Sequence, residues 1–288
     1  MIQHGSTATN RPRPMGTHAV SSRLPMTDQS QPLSGQVAVV TGASRGIGRA
    51  IAVDFARAGA DVVVAARSSE KAPTKLPGTI EETAREVEAA GRRPDGRPSG
   101  RALAIPMDVT DEAQVQAMAQ RTLEEFGRVD ILVNNAGISF PAPFSQTPLK
   151  RWDLVMAVNL RGPVMCTQAF LPRMLEQGGG RIINISSYLA EVLMPGMMSY
   201  SVSKIALEKL TQALAAELQP RSIAVNALRI EMNIATEGWQ YLNPSIDYSN
   251  WEKPEAASEA TLWLATRDPS YTGQVVTIGE AREQMAAR

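Results

Sequence analysis

The sequence predicts an α/β protein built on a doubly wound, seven-stranded parallel sheet with helices on both faces. Three observations lead there. Short runs of β-branched and apolar residues recur at 37–41, 61–66, 102–107, 131–134, 181–186, 223–228 and 274–278. Most of these runs are continuous rather than alternating, as strands covered on both faces require. Between them, at 46–58, 79–90, 111–126, 149–176, 200–218 and 254–265, apolar residues return at helical spacing. Strict alternation of strand and helix makes the strands parallel and the crossovers right-handed, with ligand expected beyond the carboxyl ends of the strands. These elements use nearly all of the chain after residue 34, so a single domain over 34–288 is expected, and no internal repeat is visible.

Residues 1–33 are rich in Ser, Thr, Pro, Arg and Gln and include Arg11-Pro12-Arg13-Pro14. They hold too few large apolar side chains to offset the entropy of ordering, and a disordered tail is expected. Met15 and Met26 offer alternative starts; a targeting role is the other reading. The 29 basic and 29 acidic residues cancel, and no run of like charge marks a nucleic-acid or membrane surface. No stretch reaches the roughly 18 consecutive apolar residues of a membrane span, and the first 33 residues lack the apolar core of a secretory signal. A small-molecule partner is therefore expected, with neither nucleic acid nor membrane. One cysteine, Cys166, excludes an internal disulfide framework, and His4 and His18 both lie in the leader. No metal site is expected, and a reducing cytoplasm fits.

Chemistry enters at Thr41-Gly42-Ala43-Ser44-Arg45-Gly46-Ile47-Gly48, which follows the first strand and opens the first helix. Gly42 allows the tight turn, Gly46 lets backbone approach a pyrophosphate, and Gly48 lets the helix pack closely on the sheet. The spacing, Gly-x-x-x-Gly-x-Gly, differs from the general Gly-x-Gly-x-x-Gly fingerprint. Glycines at such a turn can also be purely steric.

That spacing resembles the short-chain dehydrogenase/reductase family, which has a Rossmann fold, and the family's other motifs follow in order. Asp108-Val109 ends the third strand, where the family sets an Asp side chain and the next amide against adenine. Asn134-Asn135-Ala136-Gly137 ends the fourth, where the family's Asn-Asn-Ala-Gly stabilises the sheet and lines the cofactor. Taken singly, Asp108 could cap a helix and the Asn pair could be a turn. Together they imply a cofactor site of Gly42, Ser44, Arg45, Gly46, Ile47, Gly48, Arg67, Asp108, Val109, Asn135, Ala136 and Gly137. Thr236, Tyr200 and Lys204 would complete it.

The end of the second strand chooses between nicotinamide cofactors. An acid there would accept from both ribose hydroxyls of NAD, whereas cations favour the 2′-phosphate of NADP. Ala66 occupies the acid's place, Arg67 follows it, and Arg45 would approach from the glycine turn. NADP(H) is expected; Glu70, close by, offers a weaker NAD reading, and either arginine could be a plain surface charge.

Tyr200 and Lys204 stand four residues apart, on adjacent turns of one helical face. A nearby ammonium would lower a phenol pKa that is otherwise near 10. Alone the pair is a weak motif, but the resemblance extends it. Ser187, thirteen residues before Tyr200, matches the family's catalytic serine, with Ser186 the neighbouring candidate, one place too early. Asn159 matches the fourth catalytic position, on the long helix from 149, where the family's asparagine interrupts helix bonding and holds a water linked to the lysine. Gly162-Pro163 makes a kink plausible there. The implied activity is NADP(H)-dependent transfer of hydride between nicotinamide and a ketone, aldehyde or secondary alcohol, in a homodimer or homotetramer.

The likeness thins at three places. Arg229-Ile230-Glu231 replaces the family's Pro-Gly after the sixth strand, and Thr236 matches a family threonine one place out of register. The run Thr272-Gly273-Gln274 through Gly279-Glu280 lacks the family's Asp-Gly-Gly ending. The link containing residues 75–80 resembles that of hydroxysteroid dehydrogenase-like proteins. The segment 231–251, with Trp239, Tyr241, Tyr248 and Trp251, is expected to form a mobile lid. Loss of turnover in an NADP-binding regulatory or scaffold protein is the reading from another class, supported by the altered 229–236 loop. A nucleotide-sugar epimerase or dehydratase would need a larger carboxyl-terminal domain than this length allows.

Overall fold

The first apolar run folds as strand β1 (Val37–Thr41), and strands and helices then alternate in a computed structural model that describes residues 31–91 and 100–287. In chain order they are α1 (Gly46–Arg57), β2 (Asp61–Ala66), α2 (Ile80–Ala90), β3 (Ala102–Pro106), α3 (Glu112–Phe126) and β4 (Ile131–Asn134). Helices α4 (Leu149–Met156) and α5 (Gly162–Glu176) precede β5 (Gly180–Ser187), α6 (Met198–Leu218) and β6 (Ile223–Ile230). The chain closes with α7 (Glu237–Leu242), α8 (Pro254–Ala265), β7 (Val275–Thr277) and α9 (Ile278–Ala286). All seven strands are parallel, in the order β3-β2-β1-β4-β5-β6-β7. Chain order reverses between β1 and β4, and a crevice opens there at the carboxyl ends.

Alternation of side chains along each strand divides the apolar residues between two cores. Ala38 and Val40 of β1 join Val62 and Val64 of β2 and Ile131 and Val133 of β4 beneath α1, α2 and α8, with Phe55 and Trp263 among them. Val39, Val63 and Leu132 face the other way, against Met118 of α3, Phe170 and Met174 of α5 and Leu218 of α6. Burial on both faces is why the runs lack a polar alternate. Helix starts have local causes as well: Thr79 and Glu82 form a reciprocal capping box on α2, and Asp111 caps α3. Among the described residues, Leu149–Glu176 alone is long and apolar enough to cross a membrane by length and composition, and half of its most apolar window is buried in the fold.

Several expectations are corrected. The 149–176 stretch is interrupted by one π-helical turn, Ala157–Arg161, around the expected kink. The run at 274–278 contributes a strand of only three residues, because Thr277 caps α9 and Ile278 begins it. Helices α7 and α9 add to the expected elements; both are short and lack a sustained apolar period. The folded unit also reaches into the expected tail. Leu33 is fully buried in the core of α1 and α8, and its N–H donates to the carbonyl of Ala58 at 2.8 Å. Residues 1–30, the remainder of that tail, lie outside the described residues.

Leu33→Ala should therefore destabilise the domain by about 2–4 kcal/mol, as other buried Leu→Ala changes do. Denaturant unfolding of the two proteins measures it; a loss below about 0.5 kcal/mol would place Leu33 outside the cooperative core.

Candidate active site

The carboxyl ends of β1, β4 and β5 are joined by side chains, since parallel strands leave their last polar groups without ladder partners. Asn135 donates through Nδ2 to the carbonyls of Thr41 and Gly42, at 2.9 and 3.2 Å. The Thr41 hydroxyl accepts from the amides of Asn135 and Ala136, each at 3.1 Å. Asn134 donates to Asn184 at 2.9 Å, and Asn184 to Thr211 of α6 at 2.8 Å. Gly42 has φ +67°, and a Cβ there would meet Ala136 Cα at 2.8 Å. Close approach of the β1 turn to the β4 turn requires glycine at this place.

Beside this seam lies a cleft of about 330 Å³. It is lined by every residue expected to touch cofactor apart from Tyr200 and Lys204: Gly42, Ser44, Arg45, Gly46, Ile47, Gly48, Arg67, Asp108, Val109, Asn135, Ala136, Gly137 and Thr236. Ala66, at the end of β2, also faces it. The Arg45 guanidinium donates to Thr74 Oγ1 and to the carbonyl of Gly78, both at 3.0 Å, while its buried Nε has no partner. Burial and the neighbouring positive charge of Arg67 lower the Arg45 pKa, and Glu237 opposes them. Arg67 stands 3.7 Å from Asp108. Asp108 does not cap α3; its Oδ1 accepts from the amide and hydroxyl of Thr110, at 2.9 and 2.8 Å. Glu70 turns away, to Arg85 at 2.9 Å.

Two clustered cations, backbone amides at the start of α1 and glycines where Cβ atoms would collide suit an anionic dinucleotide. Glu237 is a further neighbour outside the expected set. As the first residue of α7, it accepts from the amide of Gly46 at 2.9 Å and from Arg49 at 3.2 Å. Thr236, which caps α7, sits against Gly46, where a Cβ would stand 3.2 Å from its side chain.

The four expected catalytic residues converge at the other end of the cleft. A Cβ on Gly137 would stand 3.6 Å from both Asn159 Oδ1 and Lys204 Nζ, so the cofactor-lining strip ends against them. Asn159 is fully buried in the π-helical turn. Its Oδ1 accepts from the amide of Ile138, and its Nδ2 donates to the carbonyl of Ile138, both at 2.9 Å. Nδ2 also donates to Ser203 Oγ at 3.0 Å, and that hydroxyl donates to the Tyr200 carbonyl at 2.6 Å. Asn159 thus fastens the turn after β4 to the helix that bears Tyr200 and Lys204. Sequence reasoning missed Ser203, the direct link.

Ser187 ends β5, with its Oγ accepting from the amide of Leu189 at 3.3 Å. Ser186 points elsewhere, to Glu208 at 2.7 Å. The phenol of Tyr200 has its pKa pushed up by burial, offset in part by a hydrogen bond with Ser187, while Tyr188 adds to the rise. Lys204 is 4% exposed, and burial brings its pKa down to about 8 against the pull of Glu208. Its ammonium donates to the Ile185 carbonyl at 2.7 Å and stands 5.5 Å from the Tyr200 ring centroid. The expected lowering of the phenol by the lysine is not found in the chain alone. The ammonium faces the ring and a backbone carbonyl, and burial dominates the phenol.

In the 231–251 segment, Trp239 stacks near Trp251 at 6.3 Å and Tyr248 meets Trp251 edge-on at 4.8 Å. Tyr248 also donates to the carbonyl of Asn243 at 2.9 Å. These three aromatics pack the segment on itself, whereas Tyr241 is exposed.

Comparisons with known proteins bear on the family and the fold. The sequence profile of the short chain dehydrogenases matches residues 36–245. Hydroxysteroid dehydrogenase-like protein 2 of Danio rerio is 37% identical over 246 residues, 85% of this chain and 57% of that protein. Its Homo sapiens counterpart is 36% identical over 247 residues, 85% of this chain and 56% of that protein. The chain thus spans little more than half the length of these curated relatives. The crystal structure of a short-chain type dehydrogenase/reductase from Mycobacterium marinum is 34% identical and superposes with a TM-score of 0.73, over 85% of this chain and 94% of that one. A short chain dehydrogenase from Mycobacterium thermoresistibile is 32% identical, with a TM-score of 0.78 and 88% of each chain covered.

Replacing Asn159 with Ala should leave the amide and carbonyl of Ile138 and the Ser203 hydroxyl short of a partner. A loss of about 1–3 kcal/mol is expected from the unsatisfied buried groups. Thermal unfolding reads it, and an unchanged midpoint would show that these bonds carry no net stability.

Proposed function

The chain belongs to the short chain dehydrogenase family, and from that premise we propose that it is an NADP(H)-dependent oxidoreductase acting on carbonyl and alcohol carbons. Its substrate is a ketone or aldehyde in one direction and a secondary alcohol in the other, with Tyr200 as proton donor and acceptor. The observation that carries this reading is the convergence of Tyr200, Ser187, Lys204 and Asn159 at one end of a cleft whose other end holds Arg45 and Arg67.

Cofactor preference rests on charge. The positive charge of Arg67 reaches Arg45 and opposes its protonation, and a 2′-phosphate near both would relieve that repulsion. Ala66 leaves no acid to pair with ribose hydroxyls, and Glu70 is engaged by Arg85. Bound in the cleft, the nicotinamide supplies or accepts the hydride. The chain does the rest. Ser187 donates to the substrate oxygen and orients it toward Tyr200. The phenol, kept protonated by burial, gives its proton to that oxygen in reduction and takes it back in oxidation. Lys204, between the Tyr200 ring and Gly137, is placed to hold ribose hydroxyls and to stabilise the phenolate. The altered 229–236 loop, which supported the scaffold reading, leaves Thr236 on the cleft wall.

Absorbance at the reduced-nicotinamide band, followed over a panel of carbonyls and alcohols with each cofactor, tests turnover and preference together. Tighter binding of NADH than NADPH by the wild-type protein would reject the NADP(H) assignment, and Arg67→Asp should erase or reverse the preference. Tyr200→Phe should lower turnover by at least about 10²- to 10⁴-fold, the usual loss of a placed acid, with NADPH affinity nearly intact. Near-normal turnover in that variant would remove Tyr200 from the mechanism.

The pH dependence follows from Lys204. Its pKa is lowered to about 8, so the ammonium is present below that pH and lost above it. Reduction rate and NADPH affinity should be steady on the acid side and fall as pH rises through about 8. A rate that stays flat to pH 10 would show that the ammonium is not needed.

A further inference from the structure

Strand β6 carries Arg229 opposite Ser186 in its register with β5. The Arg229 guanidinium donates through Nε and Nη2 to the two carboxylate oxygens of Glu208, at 3.0 and 2.8 Å, and through Nη1 to Glu191. Glu208 is 3% exposed and also accepts from Ser186 Oγ at 2.7 Å. A carboxylate this deep is tolerated only when its lone pairs are met and its charge is balanced. The two-pronged arginine does both, as a lysine could not.

The location of the cluster matters more than its strength. Ser186 precedes Ser187, Glu191 lies in the link that joins Ser187 to the helix of Tyr200, and Glu208 stands one turn beyond Lys204 on the same helix. Through Glu208 and Glu191, one guanidinium therefore ties the end of β5, which bears Ser187, to the link that follows it and to the helix that bears both Tyr200 and Lys204. Arg229 belongs to the 229–231 stretch that departs from the family pattern. We propose that Arg229 and Glu208 are a positioning pair for the proton-transfer site, fixing the β5 end and the Tyr200–Lys204 helix against each other and setting the local charge they share. This rests on the reading of Tyr200 as proton donor and acceptor.

The sign of the charge effect differs for the two partners. Glu208 favours the ammonium of Lys204, and Arg229 offsets Glu208. The other titratable groups that act in this surround are Tyr200 on α6, Tyr188 after β5, Glu191 beyond Arg229 and Glu280 of α9, whose charge also favours the guanidinium. Removing the negative charge makes proton loss from the site easier; removing the positive charge makes it harder.

The pH profile of carbonyl reduction, taken with whichever ketone or aldehyde the wild-type protein turns over, reads both effects. Glu208→Gln should move the midpoint of the alkaline fall, where the Lys204 ammonium is lost, down by about half a pH unit or more, and Arg229→Gln should move it up by a similar amount. The double variant should return near the wild-type midpoint with a lower kcat. Arg229→Lys keeps the charge and loses the fork, so its midpoint should stay while kcat falls. Should the buried Glu208 variant not fold, as judged by circular dichroism, the two Arg229 variants still decide. Superimposable profiles, or shifts of both charge-removing variants in the same direction, would overturn the pair. A wild-type protein that oxidises no alcohol and reduces no carbonyl would instead overturn the reading of Tyr200.

Discussion

The side-chain hydrogen bonds between the carboxyl ends of β1, β4 and β5 are the constraint on which the site stands. A parallel sheet fixes its strands through backbone ladders, but those ladders stop where the strands stop, and ligands meet the sheet just past that point. Thr41, Asn134, Asn135, Asn184 and Thr211 continue the pairing with side chains where the backbone no longer can. One end of this seam sets the glycine turn, and the other fixes α6. The cleft and the cluster of Tyr200, Lys204 and Ser187 therefore share a common floor, and the spacing between them is built into the sheet.

Much of this is legible in the order of the residues alone. Doubly buried strands advertise themselves as unbroken apolar runs, and the turn at Gly42, Gly46 and Gly48 announces a close approach that only glycine permits. Interactions that cross the fold leave weaker traces. Leu33 reads as part of a polar leader because its partners lie in α1, α8 and the turn after α1, none adjacent in sequence. Asn159 can be matched to a catalytic position, yet its bonds to Ile138 and Ser203 depend on a π-helical turn that no periodicity reports. Glu208 is within reach, since helical arithmetic sets it four residues beyond Lys204. Its partner on a neighbouring strand cannot be named until the strands are ordered.

Two departures from the family pattern turn out to be connected. In sequence, the stretch 229–231 and the ending after β7 look like separate losses. Glu231 accepts from the amides of Ile278 and Gly279, at 3.0 and 2.7 Å, and so stabilises the first turn of α9. A carboxylate at a helix N-terminus meets both free donors and the helix dipole. A residue of the stretch that stands in place of Pro-Gly after β6 thus supports the helix that stands in place of the usual ending after β7. The two changes form one local solution, with Arg229 beside it turned toward the catalytic side.

The contact between Glu237 and the Gly46 amide has a consequence for how affinity is to be understood. An N–H carries one proton and serves one strong acceptor, so an anionic group that settles on Gly46 exchanges with a carboxylate as well as with water. Binding there is a competition between an intramolecular anion, always at hand, and one supplied from solution. The apparent dissociation constant is the intrinsic one divided by the fraction of molecules in which Glu237 has let go. Ligands that reach the cleft without an anion at this position escape that competition and leave α7 seated, while those that bring one release it. Fragments of a ligand would then fail to add up in free energy to the whole, because only the pieces that carry such an anion oppose Glu237.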